Sequence, residues 1–300
     1  YTTLIGAFAG DAITTGTFNT AVGGASLTAN TTGANNTAVG TSALASNSTA
    51  SNNTALGFEA LATNSTGARQ TAVGSLALDA ITTGTDSTAI GYNALGAHTG
   101  AASVAVGSEA LAGNTTGSQN TAVGYAAGTA ITTGGTNTAV GYDALKTVTT
   151  NGANTAIGRN ALRYSTAANN TAVGSSAGEE TTSGATNVFV GTNAGVANTT
   201  GGNNVVVGAN ALDANTTGDE NTAIGDGALS ANTTADKNVA VGARTMLINT
   251  TGASNVAVGY EALEVNTTAS NNTAVGSLAL TANTTGTGNV AVGAASLDAN

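Results

Sequence analysis

The stretch that decides the fold runs from Asn272 to Gly288 and reads Asn-Thr-Ala-Val-Gly-Ser-Leu-Ala-Leu-Thr-Ala-Asn-Thr-Thr-Gly-Thr-Gly. The same pattern starts again at Asn289 and recurs along the chain. Its fixed point, the anchor glycine, follows Thr-Ala-Val or a close variant. The anchor glycines are Gly6, Gly23, Gly40, Gly57, Gly74, Gly91, Gly107, Gly124, Gly141, Gly158, Gly174, Gly191, Gly208, Gly225, Gly242, Gly259, Gly276 and Gly293. A fixed repeat of this length predicts a stacked repeat architecture, with residues 1–300 forming one repeat domain of about 18 coils.

The spacing of the anchor glycines is 17 residues, and it shortens to 16 only after Gly91 and Gly158. Both shortenings fall in the Asn-Thr-Thr-Gly half of the repeat, where a turn can absorb a deletion. Because a slip within a strand would move every side chain to the other face, we expect the strands to keep their register across both short repeats.

Each repeat contains two segments that favour β-structure. The first is the β-branched Thr-Ala-Val before the anchor glycine, and the second follows the Ala-Leu pair, as at Ala211-Leu212. Thr, Asn and Gly at this density disfavour helix. The sequence therefore predicts an all-β, repetitive β-solenoid with 17-residue coils and two short strands in each coil.

The first strand is apolar at adjacent positions, although adjacent residues of a strand point to opposite faces. We expect both faces to be buried, with Val and Leu filling the coil and Ala lining an outer face that approaches another chain. This predicts a parallel homotrimer. The alternative is a monomeric solenoid with a flat Ala/Thr face.

Composition and charge exclude several classes of partner. The chain has a formal net charge of −10 and only six Lys and Arg residues, which are scattered singly, so nucleic acid is not an expected partner. There is no Cys for a disulfide or a thiolate metal site. No apolar run is long enough to cross a bilayer, so no membrane contact by this segment is expected. The chain opens at Tyr1 and closes partway through a repeat, which favours a segment of a longer fibre.

Residues that could carry chemistry are few and isolated. His98 is the only histidine and stands where other repeats have Asn. Acidic residues at or next to the position two after the anchor glycine never occur in consecutive repeats, as a carboxylate pair on one face would require. They are Glu59, Glu109, Asp143, Asp226 and Glu261. The glycine-rich spacing of calcium-binding β-rolls is missing. The sequence therefore predicts no catalytic residues, no cofactor and no metal site, and a protein that is not an enzyme.

Five aromatic residues directly follow an anchor glycine: Phe58, Tyr92, Tyr125, Tyr142 and Tyr260. Such a stripe could contact a receptor glycan. The simpler interpretation, which we favour, is that these side chains cover the Ala-Leu corner.

Sequons of the form Asn-x-Ser/Thr recur in register and are candidate glycan acceptors if the source glycosylates secreted protein. They are Asn30, Asn47, Asn64, Asn114, Asn198, Asn215, Asn232, Asn249, Asn266 and Asn283. The simpler interpretation, again the favoured one, is that stacked Asn and Thr side chains hydrogen-bond from coil to coil.

Four strings resemble the head repeats of trimeric autotransporter adhesins: Asn36 to Gly40, Asn238 to Gly242, Asn255 to Gly259 and Asn289 to Gly293. They are equally similar to repeats of phage tail-fibre and hemagglutinin-like surface proteins, and the resemblance covers the whole chain. It implies a left-handed β-roll-like, trimeric solenoid in an adhesive fibre. The adhesin head repeat is shorter, however, and its second half differs from Ala-Leu-x-x-Asn-Thr-Thr-Gly.

These observations together predict a structural, extracellular fibre segment, either shaft or head, that serves adhesion and surface display on a cell or a virion. A phage tail-fibre or receptor-binding shaft is the alternative within this class. The expected partners are other copies of the chain and a receptor on a host surface or glycan. An ice-binding β-solenoid is a different alternative, since stacked Thr rows on a flat face could order water.

Overall fold

The computed structural model describes residues 1–298, which fall into two compact units, Tyr1–Gly152 and the part that begins at Ala153. The strands of the first unit are β1 (Thr3–Ile5), β2 (Thr20–Val22), β3 (Thr37–Val39), β4 (Thr54–Leu56), β5 (Thr71–Val73), β6 (Thr88–Ile90), β7 (Val104–Val106), β8 (Thr121–Val123) and β9 (Thr138–Val140). Those of the second are β10 (Thr155–Ile157), β11 (Thr171–Val173), β12 (Val188–Val190), β13 (Val205–Val207), β14 (Thr222–Ile224), β15 (Val239–Val241), β16 (Val256–Val258), β17 (Thr273–Val275) and β18 (Val290–Val292).

Within each unit, every strand pairs in parallel with the equivalent strand one coil further along the chain. The 16-residue repeats keep this register, since Thr88 pairs with Val104 and Thr155 pairs with Thr171. The prediction that a turn absorbs both deletions is confirmed. The protein is an all-β, parallel β-solenoid, and residues 1–298 contain no helix.

Each coil of the described chain has one strand where the sequence predicted two. The Ala-Leu half does hydrogen-bond from coil to coil, for example from the backbone N–H of Leu44 to the carbonyl of Ala60. Its backbone alternates in and out of the left-handed region, however, with Ser42 at φ 58° and Leu44 at φ 52°. This alternation is incompatible with an extended strand. In four coils Gly replaces the left-handed Leu, as at Gly10 and Gly128.

The interior of each coil is built from Ala, Leu and Asn, which corrects the predicted orientation of the strand. Ala38 and Leu44 are fully buried, whereas Thr37 is exposed and Val39 is half-buried on the outside. The expectation that Val fills the coil and Ala lines an outer face is wrong. In most coils the strand therefore places the small methyl group of Ala opposite the buried Leu.

One strand that lacks Ala at its buried middle position shows how tightly the two sides of a coil fit. Phe189 takes the place of Ala in β12 and is fully buried. The Leu position is glycine both in its own coil, at Gly195, and in the preceding one, at Gly178. A Cβ atom at these two glycines would lie 2.2 and 2.6 Å from the Phe189 ring. The large side chain therefore occupies the volume that two Leu side chains fill elsewhere.

Candidate functional surfaces

The sequon asparagines form a buried ladder inside the coil. Asn215 Nδ2 donates to Asn198 Oδ1 at 2.8 Å and to the carbonyl of Gly218 at 3.0 Å. Asn215 Oδ1 in turn accepts from Asn232 Nδ2 at 3.0 Å. The Asn215 amide thus bonds to its own turn and to both neighbouring coils, so the predicted hydrogen-bonding of stacked asparagines is confirmed.

A second asparagine ladder lies immediately before the strands. Asn204 Nδ2 donates to the Gly218 carbonyl at 2.9 Å, and Asn204 Oδ1 accepts from the backbone N–H of Asn221 at 2.9 Å. The Gly218 carbonyl therefore accepts buried amides from two coils, Asn204 and Asn215. The two ladders satisfy the backbone of the Asn-Thr-Thr-Gly turn, which would otherwise be buried without partners.

The ten sequon asparagines are all buried, with exposures of 0–2%. N-linked glycosylation needs an accessible amide nitrogen, and in most of these residues that nitrogen donates to the carbonyl three residues later. The folded coil consequently does not present these side chains as acceptors. A glycan would have to be attached before folding and would displace the ladder.

His98 occupies a position in the sequon ladder, as its alignment with Asn predicted. The ring is fully buried, and Nδ1 lies 2.7 Å from Asn114 Oδ1. Its Nε2 atom has no hydrogen-bond partner within residues 1–298. Burial lowers the pKa of His98 below its ordinary value, and the hydrogen bond to Asn114 opposes this effect.

The first and third residues of every strand form what we call the outer sheet face. It carries only Thr, Val, Ile and Leu in the described strands, without a charged side chain. In the first unit the first position is Thr in every strand except β7, where it is Val104. In the second unit it is Val in five of nine strands. The face is thus a mixed hydroxyl and methyl array in the first unit and mainly methyl in the second.

The aromatic residues after the anchor glycines are exposed. Phe58, Tyr92, Tyr125 and Tyr142 lie in the first unit, and about half of each side chain, 48–52%, is exposed. The rings of Tyr125 and Tyr142 are stacked, with centroids 5.4 Å apart and planes 16° from parallel. Tyr260 is the only aromatic at this position in the second unit and is also half exposed.

Charged side chains pair across coils at the surface. Arg69 Nε lies 2.6 Å from Asp86 Oδ1, and the hydrogen bond from this guanidinium lowers the pKa of Asp86 to about 2. Arg244 contacts Glu261 at 3.0 Å and Glu264 at 2.5 Å. Across residues 1–298 no three acidic or histidine side chains are grouped to hold a metal ion. The same residues include no helix long and apolar enough to span a bilayer.

No protein-family model and no curated protein matches this chain.

Proposed function

We propose that the protein is a structural segment of an extracellular fibre, carried by a cell surface or a virion, in which three parallel chains associate through their outer sheet faces. Such a segment would extend the fibre away from the surface and display several copies of a binding site for adhesion. The single observation that carries the proposal is the outer sheet face. A regular, uncharged array of exposed or half-buried Thr, Val, Ile and Leu side chains repeats in coil after coil of both units.

The physical argument for association is the burial of this face. Val205 and Val207 remain 40% and 38% exposed, and Val256 and Val258 are each 36% exposed. Contiguous apolar surface on a soluble protein marks an interaction site. The chain has a net charge of −10, yet none of that charge lies on the outer sheet face of the described strands, so close approach of two such faces meets no direct repulsion.

Sedimentation velocity tests the proposal, with Val207→Lys as the disrupting variant. The unmodified chain is expected to sediment as a species of three times the chain mass, and Val207→Lys is expected to shift it toward the monomer. Thr217→Lys, at an exposed turn of the same coil, is the matched control and should leave the trimer intact. A monomer at all concentrations for the unmodified chain would refute the proposal.

A second candidate, ice binding, is favoured by the first unit. Thr37 and Thr54 are exposed in successive strands, and their hydroxyls make no hydrogen bond with the described chain. Each lies on the same face as a methyl-bearing residue, Val39 or Leu56. A flat array of hydroxyl and methyl groups held in register is suited to ordering water.

The ice-binding candidate requires the outer sheet face to be free, whereas the fibre requires it to be covered. Thermal hysteresis of the purified chain distinguishes the two. A monomer that shows hysteresis, lost in Thr54→Lys, would establish ice binding. A trimer without hysteresis would eliminate it.

A further inference from the structure

We infer that the first unit carries a binding site for an extended, neutral β-1,4-linked polysaccharide, formed by the aromatic row Phe58, Tyr92, Tyr125 and Tyr142. This inference names a partner for the proposed adhesive fibre and rests on that function for its biological meaning. The site itself is separate from the outer sheet face.

The spacing of the aromatic row is the first argument. Phe58, Tyr92 and Tyr125 occur in every second coil, and Ser75 and Ser108 occupy the same position in the coils between them. Paired parallel strands lie about 4.8 Å apart, so the three rings recur about every 9.6 Å along the unit. In an extended β-1,4-linked glycan successive sugars are turned over, so the same ring face recurs at every second sugar with a similar repeat. Each aromatic ring can then stack on an equivalent sugar face.

Exposure of the rings is the second argument. Large apolar side chains at the surface normally lose solvent contact through packing, yet these rings keep about half of their surface. The Tyr125 and Tyr142 rings stack on each other at 5.4 Å, so each covers one face of the other and leaves the opposite face open at the end of the row. The small Ser75 and Ser108 side chains leave slots between the other rings. A row of separated, exposed rings is suited to the apolar faces of sugars.

The polarity of the row indicates a neutral ligand. The position after the anchor glycine bears no charge anywhere in the first unit. The next residue is polar beside three of the rings. Asp143, after Tyr142, is buried and pairs with Lys146 at 2.9 Å, whereas Glu59, after Phe58, and Asn93, after Tyr92, are half-buried. A carboxylate and an amide at these places can bond to sugar hydroxyls. The negative charge of Glu59 and the net chain charge of −10 both disfavour binding of an anionic polysaccharide.

The second unit provides the internal control. Its only aromatic residue at the same position is Tyr260, which lies between Ala243 and Ser277 in the neighbouring coils. One isolated ring can contact one sugar and cannot bind a chain at repeated points. The inference therefore assigns binding to the first unit and assigns none to Tyr260.

Binding of cello-oligosaccharides and chito-oligosaccharides to the intact chain tests the inference. The chain has six Tyr and no Trp, so tyrosine fluorescence reports directly on stacking. Affinity is expected to rise steeply from the disaccharide to the hexasaccharide, because only longer ligands reach rings two coils apart. Removing both Tyr92 and Tyr125 by substitution with Ala should weaken hexasaccharide binding about tenfold per ring. Tyr260→Ala should leave it unchanged.

Three results would overturn the inference: no binding of either oligosaccharide, affinity independent of length, or equal loss in Tyr260→Ala. Preferential binding of the anionic polysaccharide alginate would also overturn it. Sedimentation of the Tyr92→Ala, Tyr125→Ala variant separates this failure from failure of the fibre proposal, since the variant should associate like the unmodified chain. Retained trimers without glycan binding would refute the site alone.

Discussion

The anchor glycine offers the most demanding test of the coil geometry, and Gly208 in the middle of the second unit is the position to change. Its φ is +147°, a conformation that L side chains rarely adopt. A Cβ atom here would lie 2.3 Å from the carbonyl oxygen of Gly225 in the next coil and 2.6 Å from its carbonyl carbon. The neighbour is backbone and is itself held by the N–H of Gly225 donating to Val207 at 2.8 Å, so it cannot move without breaking the stack.

The expected loss of stability in Gly208→Ala is the sum of two effects, the strained backbone and the steric overlap of the added methyl group. A non-glycine residue in this backbone region costs about 1–3 kcal/mol. Forcing a methyl group into a close-packed contact adds about 1–3 kcal/mol. Gly208→Ala is therefore expected to lower the free energy of unfolding by about 2–6 kcal/mol.

Gly202→Ala, six residues earlier in the same unit, is the matched control. The nearest atom to its added Cβ is the Ala185 carbonyl oxygen at 3.1 Å, and Gly202 is not among the positive-φ residues. Several other coils carry Ala at this position, as at Ala34 and Ala253. We expect the control to change the unfolding free energy by less than about 1 kcal/mol.

Urea unfolding followed by circular dichroism gives the stability of both variants, and hydrogen exchange of the peptide spanning residues 205–226 gives the local effect. In Gly208→Ala the amide of Gly225 should lose protection while the terminal coils retain theirs, because each coil contacts only its neighbours. Equal midpoints for the two variants, with unchanged protection at Gly225, would refute the reasoning that stacked anchor glycines set the coil spacing.

Three further predictions address the interior. Phe189→Ala should lower the free energy of unfolding, measured in urea, by about 3–5 kcal/mol. Adding Gly195→Leu should recover part of that loss, because Leu refills the space. A double variant no more stable than Phe189→Ala would contradict the conclusion that Phe189 fills the volume of the missing Leu side chains. His98 has a pKa lowered by burial, so its contribution to stability is complete above pH 6.5 and is lost as pH falls below that value. Unfolding midpoints measured between pH 7.5 and 5 should therefore fall further for the unmodified chain than for His98→Asn, and parallel curves would disprove the assignment. Asn232→Ala should lower the free energy of unfolding by about 2–4 kcal/mol, because the ladder hydrogen bonds are lost. Thr234→Ala abolishes the same sequon at an exposed residue and should leave that free energy nearly unchanged. Equal effects of the two substitutions would mean that the sequon acts through an attached glycan.

The repeat spacing was enough to predict the all-β solenoid and the strand register. The anchor glycine recurs where only glycine fits, and the two shortened repeats fall in the turn, so Thr88 still meets Val104. Which face of the strand points into the coil could not be predicted from the sequence. Ala lies on one face of the strand and Val on the other, and both are apolar, so there is no alternation of polar and apolar residues to distinguish the two faces. The thickness of the coil decides which face is buried, because a thin coil accommodates Ala inside more easily than Val. That thickness depends on how the backbone packs.

The one-strand coil and the burial of the sequons had signals that sequence reasoning missed. Gly replaces Leu at Gly10 and Gly128, which is typical of a left-handed position and not of a strand interior. In three coils an apolar residue replaces the sequon Asn, which indicates an interior position. These residues are Ile81, Ile131 and Val148, and all three are fully buried. The aromatic residues were identified in the sequence from their position after the anchor glycine, but the exposure of their rings required the structure.

Disulfide cross-linking at the outer sheet face tests the central claim, three-chain association through that face, most directly. The chain contains no Cys, so Val207→Cys introduces a single thiol on β13. If three parallel chains meet in register through this face, mild oxidation should link Val207→Cys chains into covalent dimers, while Thr217→Cys, on an exposed turn, should remain uncrosslinked. Val207→Cys chains that stay monomeric under oxidation, or that cross-link no faster than Thr217→Cys chains, would contradict association through the outer sheet face.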